Sequence, residues 1–213
     1  MKKTQILFDL DGTIIDPSEG IFKSILYSLD KMQWEHPSND SLKSFIGPPL
    51  VDSYVELGMT KEEANKAVGY YRELYSQEGL YLMQPYTGIQ KVLIELAKTK
   101  EIYLATSKPD VFAKQILDYL NFSQYFKGIY GANLEGTRSK KADVIRYAFD
   151  ESKIESLEEV VMIGDRMHDI LGASQNNIES IGVLYGFGDE KELKKAGATR
   201  IIADTLDLLK IIQ

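Results

Sequence analysis

The sequence predicts an α/β protein with three layers: a parallel sheet covered by helices on both faces, interrupted once by an all-helical insertion. Short, continuously apolar runs recur along the chain, as they do in strands buried on both sides. Amphipathic helical patterns separate these runs over about the last 130 residues, the alternation expected of right-handed βαβ crossovers. Between the first and second runs lie about 90 residues with helical periodicity and no strand pattern.

The first strand is Ile6-Leu7-Phe8. The insertion follows, with a helix over Ser18 to Met32 whose Ile21, Ile25 and Leu29 recur every four residues, flanked by Phe22 and Leu26. Gly47-Pro48-Pro49 breaks the helical pattern. Thr60, with Glu63 three residues on, has capping-box spacing and opens a helix running towards Gln77 that carries Tyr70, Tyr71, Leu74 and Tyr75. Pro85 and Gly88 mark the return to the alternating pattern. Helices are expected over Gly88 to Lys98, Asp110 to Leu120 and Lys141 to Phe149. The remaining strands are Ile102 to Ala105, Gly128 to Tyr130, Val160 to Ile163, Ile181 to Leu184 and Arg200 to Ile202. The domains are therefore residues 1–16 with 85–213 as the α/β core and 17–84 as the helical insertion.

A chain of 213 residues, 44% hydrophobic and 27% charged, can bury a substantial core without staples. Its net charge of −7 makes it a poor nonspecific ligand for nucleic acid or an anionic membrane, so an anionic substrate requires a local site or a bound cation. The absence of cysteine excludes disulfides, thiolate metal sites and cysteine nucleophiles. Lys2 and Lys3 imitate a signal-peptide start, but Asp9 and Asp11 stop the apolar run at once. No run approaches the length of a membrane span. The expectation is a soluble, cytoplasmic monomer or homodimer whose partner is a small molecule, with no nucleic acid polymer and no membrane.

The chemistry gathers where apolar strands end. Asp9-Leu10-Asp11-Gly12-Thr13 follows the first strand directly, and ligands of open α/β sheets bind outside the carboxyl ends of the strands. Residues two apart on an extended chain point the same way, so Asp9 and Asp11 can face one site, and Gly12 allows a sharp turn after them. An EF-hand loop would need Asp or Asn at position 13, which is threonine. Gly164-Asp165-Arg166-Met167-His168-Asp169 follows another strand. Together, Asp9, Asp11 and Asp165 would repel one another strongly, and a hard divalent cation such as Mg²⁺ relieves such repulsion. His168 reads as a surface or supporting residue more readily than as a catalytic base, and Arg166 as half of a structural ion pair.

Thr106-Ser107-Lys108 ends a strand just before Pro109 opens a helix, so hydroxyls and backbone N–H groups there could hold an anion. Lys140 and Lys141 begin the next helix. A cation at a helix N-terminus opposes the helix dipole, which suggests that one of the two points at an anion.

In order, Asp9-Leu10-Asp11-Gly12-Thr13, Thr106-Ser107, Lys141 and Gly164-Asp165 with Asp169 resemble the four motifs of the haloacid dehalogenase-like (HAD) phosphatases, over essentially the whole chain. The insertion is similar to the helical C1 cap of the phosphoglycolate phosphatase-like branch. The segment from Ser107 to Lys140 is too short for a second cap. The resemblance implies a Rossmann-like core and phosphoryl transfer. Asp9 would be the nucleophile that forms an aspartyl-phosphate, and Asp11 the general acid and then base. Asp9, the carbonyl of Asp11, and Asp165 would hold Mg²⁺. Thr106, Ser107 and Lys141 would bind phosphate, and Asp169 would support the metal site or Lys141. Lys141 fits the third motif better than Lys140 because Ala142-Asp143-Val144-Ile145 follows it in register.

Gly136-Thr137-Arg138-Ser139 and Gly182-Val183-Leu184-Tyr185-Gly186 look like a bacterial subgroup of phosphoglycolate phosphatases and 5′-nucleotidases, and the motifs do not separate the two. A β-phosphoglucomutase-like phosphomutase would keep the same four motifs. A receiver-like module shares the acidic strand ends but has no room for a helical cap and lacks the second aspartate. Tyr54, Tyr70, Tyr71, Tyr75 and Tyr81 crowd the insertion, either as helix packing or as a wall that stacks on a nucleobase.

Overall fold

A computed structural model describes residues 2–212. The chain runs β1 (Gln5–Phe8), β2 (Ile15–Asp16), α1 (Ser18–Met32), α2 (Asn39–Lys43), α3 (Leu50–Glu56), α4 (Lys61–Gln77) and β3 (Gln84–Pro85). It continues through α5 (Ile89–Ala97), β4 (Glu101–Pro109), α6 (Asp110–Tyr119), β5 (Gly128–Ala132), α7 (Lys141–Ser152) and β6 (Val160–Gly164). It ends with α8 (Met167–Gln175), β7 (Glu179–Val183), α9 (Glu190–Ala196), β8 (Arg200–Ile202) and α10 (Asp207–Ile211). Two compact units emerge: residues 1–15 with 85–213, and residues 16–84.

The first unit is a six-stranded sheet in the order β5-β4-β1-β6-β7-β8, with every pair parallel. All six expected strands are in it. Side chains alternate between faces along a strand. Leu7, Tyr103, Ala105 and Met162 therefore share one face and are buried in a cluster with Val144, Ile145, Ala148 and Phe149 of α7 and Ala173 of α8. The alternate residues Ile6, Phe8, Ile102, Leu104, Val161 and Ile163 are also buried, so both faces are covered. This double burial is why the strands read as continuous apolar runs.

β1 lies in the middle of the sheet, with Phe8 opposite Leu104 of β4 on one side and Ile163 of β6 on the other. β4 is longer than expected. Its polar tail, Thr106 to Pro109, stays in the sheet through an irregular pairing in which Pro109 reaches Ala132, and α6 begins only at Asp110. Pro109 is the N-cap of this helix, which starts at Asp110 as expected. Leu184 falls just beyond β7, although its N–H still donates to Ile202 O.

Apart from its end residues, Asp16 of β2 and Gln84 of β3, the second unit has only helices as regular elements. α1 spans the expected residues and buries Ile21, Ile25 and Leu29, while Phe22 and Leu26 are half-buried. α4 starts on the capping box: Thr60 Oγ1 accepts from Glu63 N–H, and Glu63 Oε2 accepts from Thr60 N–H at 2.8 Å. α2 and α3 were not expected. Both are short, and Gly47-Pro48-Pro49 separates them. Among the described residues no helix is long and apolar enough to cross a membrane.

Candidate active site

The parallel register decides what meets at the carboxyl edge of the sheet. Asp9 follows Phe8, and its N–H continues the pairing by donating to Ile163 O at 2.9 Å. Ala105 and Gly164 are its neighbours on the flanking strands, so Thr106 and Asp165 stand one step further on. Asp9 is buried, and its Oδ1 accepts from Leu10 N–H at 2.8 Å.

Lys141, the first residue of α7, is 5% exposed. Its Nζ lies 2.8 Å from Asp9 Oδ1 and 2.8 Å from Asp169 Oδ1, and donates to Ala105 O at 2.9 Å. Burial opposes its charge, but Asp169 and Asp9 outweigh burial and hold its pKa above the ordinary lysine value. Lys140 caps the same helix and is exposed. Of the two lysines, Lys141 alone faces the carboxylates.

Asp165 is fully buried. Its Oδ2 accepts from Phe187 N–H at 2.8 Å, whereas its Oδ1 has no hydrogen-bond partner among the described residues. Asp169 Oδ2 accepts from Arg166 N–H at 3.1 Å. Carboxylate oxygens of Asp9, Asp165 and Asp169 all lie within 4.8 Å of one another. Burial pushes the Asp165 carboxyl well above the usual range, and the charges of Asp169 and Asp9 push it the same way. Burial raises Asp169 to about 6, against the pull of Lys141. Three buried carboxylates, an oxygen-only donor set and an orphaned Asp165 oxygen fit a hard divalent cation.

Asp11 does not join this group with its carboxylate, which corrects the expectation that the carboxylates of Asp9, Asp11 and Asp165 meet; the family resemblance alone engages its carbonyl instead. Its Oδ1 instead accepts from Lys108 Nζ at 2.8 Å. Burial raises the Asp11 pKa and Lys108 counteracts the rise. Thr106 is buried and Ser107 half-buried, both within β4. Thr106 Oγ1 accepts from Lys108 N–H at 3.2 Å. These hydroxyls therefore sit on a strand end, several residues before the helix N-terminus expected to accompany them.

A family model for haloacid dehalogenase-like hydrolases matches residues 6–183, which span all of these side chains. The chain belongs to this family.

Relatives of this HAD hydrolase cover it end to end. A protein named 5′-nucleotidase from Pseudomonas aeruginosa is 41% identical over 100% of this chain and 97% of its own length. Tyrosine-protein kinase PtkA from Mycobacterium tuberculosis is 33% identical over 96% of this chain and 70% of its own. A crystal structure described as a predicted phosphatase from Clostridium acetobutylicum is 43% identical, with a TM-score of 0.94 over 99% of this chain and 98% of that one.

Other candidate residues of the HAD chain fall outside the carboxylate cluster. Arg166 Nε donates to Glu192 Oε1 at 2.9 Å, the expected structural ion pair. His168 is half-buried. Burial, Arg166 and Lys141 all lower its pKa, which disfavours the charged imidazolium. Tyr54, Tyr71 and Tyr75 are buried inside the helical unit, with Tyr71 stacked on Tyr75 and Tyr54 edge-on to Phe45. For these three, packing replaces the nucleobase-wall reading. Tyr70 is half-buried and Tyr81 is 42% exposed.

Two parts of the site escaped the sequence reading. One is Lys108, present in the polar string but given no role. The other is Gly186-Phe187-Gly188, which wraps Asp165. A Cβ on Gly186 would lie 2.3 Å from Gly12 O and 2.4 Å from Asp165 Cβ, so only glycine lets this loop approach and aim Phe187 N–H at the carboxylate. The preceding Tyr185 donates from its hydroxyl to Thr13 O at 3.2 Å. The Gly-x-Gly spacing after an apolar strand was the available signal.

Proposed function

We propose that the chain is a Mg²⁺-dependent phosphomonoesterase that transfers the phosphoryl group to Asp9 and then to water. The observation that carries this is the bridge of Lys141 between Asp9 and Asp169, beside the orphaned oxygen of Asp165. A buried carboxylate with one oxygen held by a cation and a backbone N–H is a preorganised nucleophile. Asp9 Oδ1 is the held atom, which leaves Oδ2 to attack phosphorus as the ester P–O bond breaks.

Asp11 gives its proton to the departing oxygen, then takes one from the water that attacks the aspartyl-phosphate. That second attack breaks the bond to Asp9 and releases phosphate. Thr106, Ser107 and Lys141 bind the phosphate oxygens, and Asp169 orients Lys141. Mg²⁺, held by Asp9, Asp165 and the carbonyl of Asp11, would offset negative charge on the transferring group. The helical unit, inserted directly after this first motif, is assigned the choice of substrate.

Between phosphoglycolate and a nucleoside 5′-monophosphate, the full-length likeness to a 5′-nucleotidase at 41% identity favours the nucleotide. The test is a phosphate-release screen with Mg²⁺ across nucleoside 5′-monophosphates, phosphoglycolate, pyrophosphate and sugar phosphates, with isomer formation from the sugar phosphates followed in parallel. Nucleotide hydrolysis with the highest kcat/KM is expected, and a sugar-phosphate isomer as main product would point to a phosphomutase.

A further inference from the structure

We infer that Lys108 is a positioning residue for the acid/base carboxylate of Asp11, an inference that rests on the role given to Asp11 above. Lys108 Nζ donates to Asp11 Oδ1 at 2.8 Å, with 6% of the lysine side chain and 14% of the aspartate side chain exposed. Burying an ion pair contributes little net stability compared with an apolar pair of the same volume. What such a pair fixes is geometry.

The backbone around Lys108 is built to deliver it. β4 and β5 stay in simple register as far as Ala105 and Tyr130, but the next pair is Pro109 with Ala132. Three residues of β4, Thr106 to Lys108, thus stand against the single residue Gly131. A bulge of this kind re-aims side chains at a strand end. The Thr106 hydroxyl accepts the Lys108 N–H and holds the bulged turn. Gly131 makes room for it, since a Cβ there would lie 2.5 Å from Lys108 O and 2.6 Å from Asp110 N. Hydroxyl, bulge and glycine together send the Lys108 ammonium across to Asp11, far away in sequence.

With Oδ1 held, rotation of the Asp11 carboxyl is restrained and Oδ2 is the atom that exchanges the proton. In the first half-reaction the ester P–O bond breaks as the Asp11 proton passes to the leaving oxygen. In the second, water oxygen bonds phosphorus, its proton passes to Asp11, and the bond to Asp9 breaks. Loss of the Lys108 contact should therefore slow only the steps in which Asp11 moves a proton.

The experiment compares wild type with Lys108→Met and Lys108→Arg on two esters, each in single-turnover rapid quench. One is a nucleoside monophosphate, whose alkoxide leaving group needs a proton. The other is p-nitrophenyl phosphate, whose phenolate does not. Lys108→Met should slow release from the nucleotide about a hundredfold and the p-nitrophenolate burst less than about threefold. Its steady-state p-nitrophenyl turnover should also fall, because water attack still needs Asp11. Lys108→Arg should recover part of the loss. If Lys108→Met does not fold, as judged by circular dichroism, Lys108→Gln takes its place. Equal slowing of both leaving groups, or of neither, overturns the inference while the phosphoenzyme reading stands. Failure of acid-quenched Asp11→Asn protein to carry a phosphoryl group on Asp9 removes that reading and this inference with it.

Discussion

Lys141 Nζ stands 2.8 Å from Asp9 Oδ1, joining the first residue of α7 to the residue that follows the central strand. The same ammonium reaches Asp169 Oδ1 and Ala105 O, so one buried cation ties together residues that follow or lie on β1, β4 and β6. It neutralises part of a cluster that would otherwise hold only negative charge.

Lys141→Met leaves Asp9 and Asp169 buried without their cation. Breaking a buried pair by removing one partner costs about 3–5 kcal/mol. Urea unfolding should show a loss of that size, and phosphate release should fall to background. Lys140→Met, at an exposed position, should change stability by less than about 0.5 kcal/mol. A reversed pattern would move the active-site lysine to position 140.

The pKa of Asp169 predicts a pH dependence of defined sign. Its folded-state value is about 6 against an ordinary 3.8, so between those values the folded protein keeps a proton that the unfolded chain releases. Without metal, this contribution to stability is complete below about pH 4 and is lost as the pH rises through about 6. Thermal melts in chelator should therefore show a downward slope across that window, and Asp169→Asn should reduce it. Added Mg²⁺ should take over at neutral pH, stabilising by about 2.7 kcal/mol at a hundred times its Kd. An unchanged slope in Asp169→Asn would contradict the assignment.

Gly186→Ala tests the loop that holds Asp165. The added Cβ must displace either Gly12 O or Asp165, so Phe187 N–H no longer meets Asp165 Oδ2. Apparent Mg²⁺ affinity, read from metal-dependent melting, should weaken at least tenfold, as with loss of a metal ligand's supporting partner. Unaltered metal affinity would show that the loop does not position the carboxylate.

Tyr54→Phe separates packing from recognition. The Tyr54 hydroxyl bonds the Ser28 hydroxyl in the interior of the helical unit. Its removal should cost about 1 kcal/mol of stability and leave KM unchanged for both nucleotide and phosphoglycolate. A rise in KM for the nucleotide alone would return Tyr54 to the substrate wall.

The sequence made the strands legible because burial on both faces leaves a strand no polar positions to blur its run. α1 and α4 were legible from a four-residue apolar repeat and a Thr60–Glu63 cap. α8 was hidden because its first turn, Met167 to Asp169, carries polar groups for the site and breaks the apolar pattern. α9 is short and charged. The Asp9, Asp165 and Lys141 constellation could be read because each group follows a strand end or starts a helix. The Lys108–Asp11 pair could not, since it depends on a bulge that shifts register between β4 and β5. A count of tyrosines carries no information on direction, and three of the five point into the helical unit.

Covalent capture of the phosphoryl group on Asp9 is the most direct measurement. Asp11→Asn slows water attack without removing the nucleophile, so the intermediate should accumulate. Acid-quenched Asp11→Asn protein, after brief exposure to Mg²⁺ and p-nitrophenyl phosphate, should carry the mass of one phosphoryl group. Peptide mass spectrometry should place it on Asp9, and the double variant with Asp9→Asn should carry none. Phosphate release by Asp9→Asn within about tenfold of wild type, far short of the loss expected when a covalent nucleophile is removed, would contradict the mechanism, as would a phosphoryl group on any other residue.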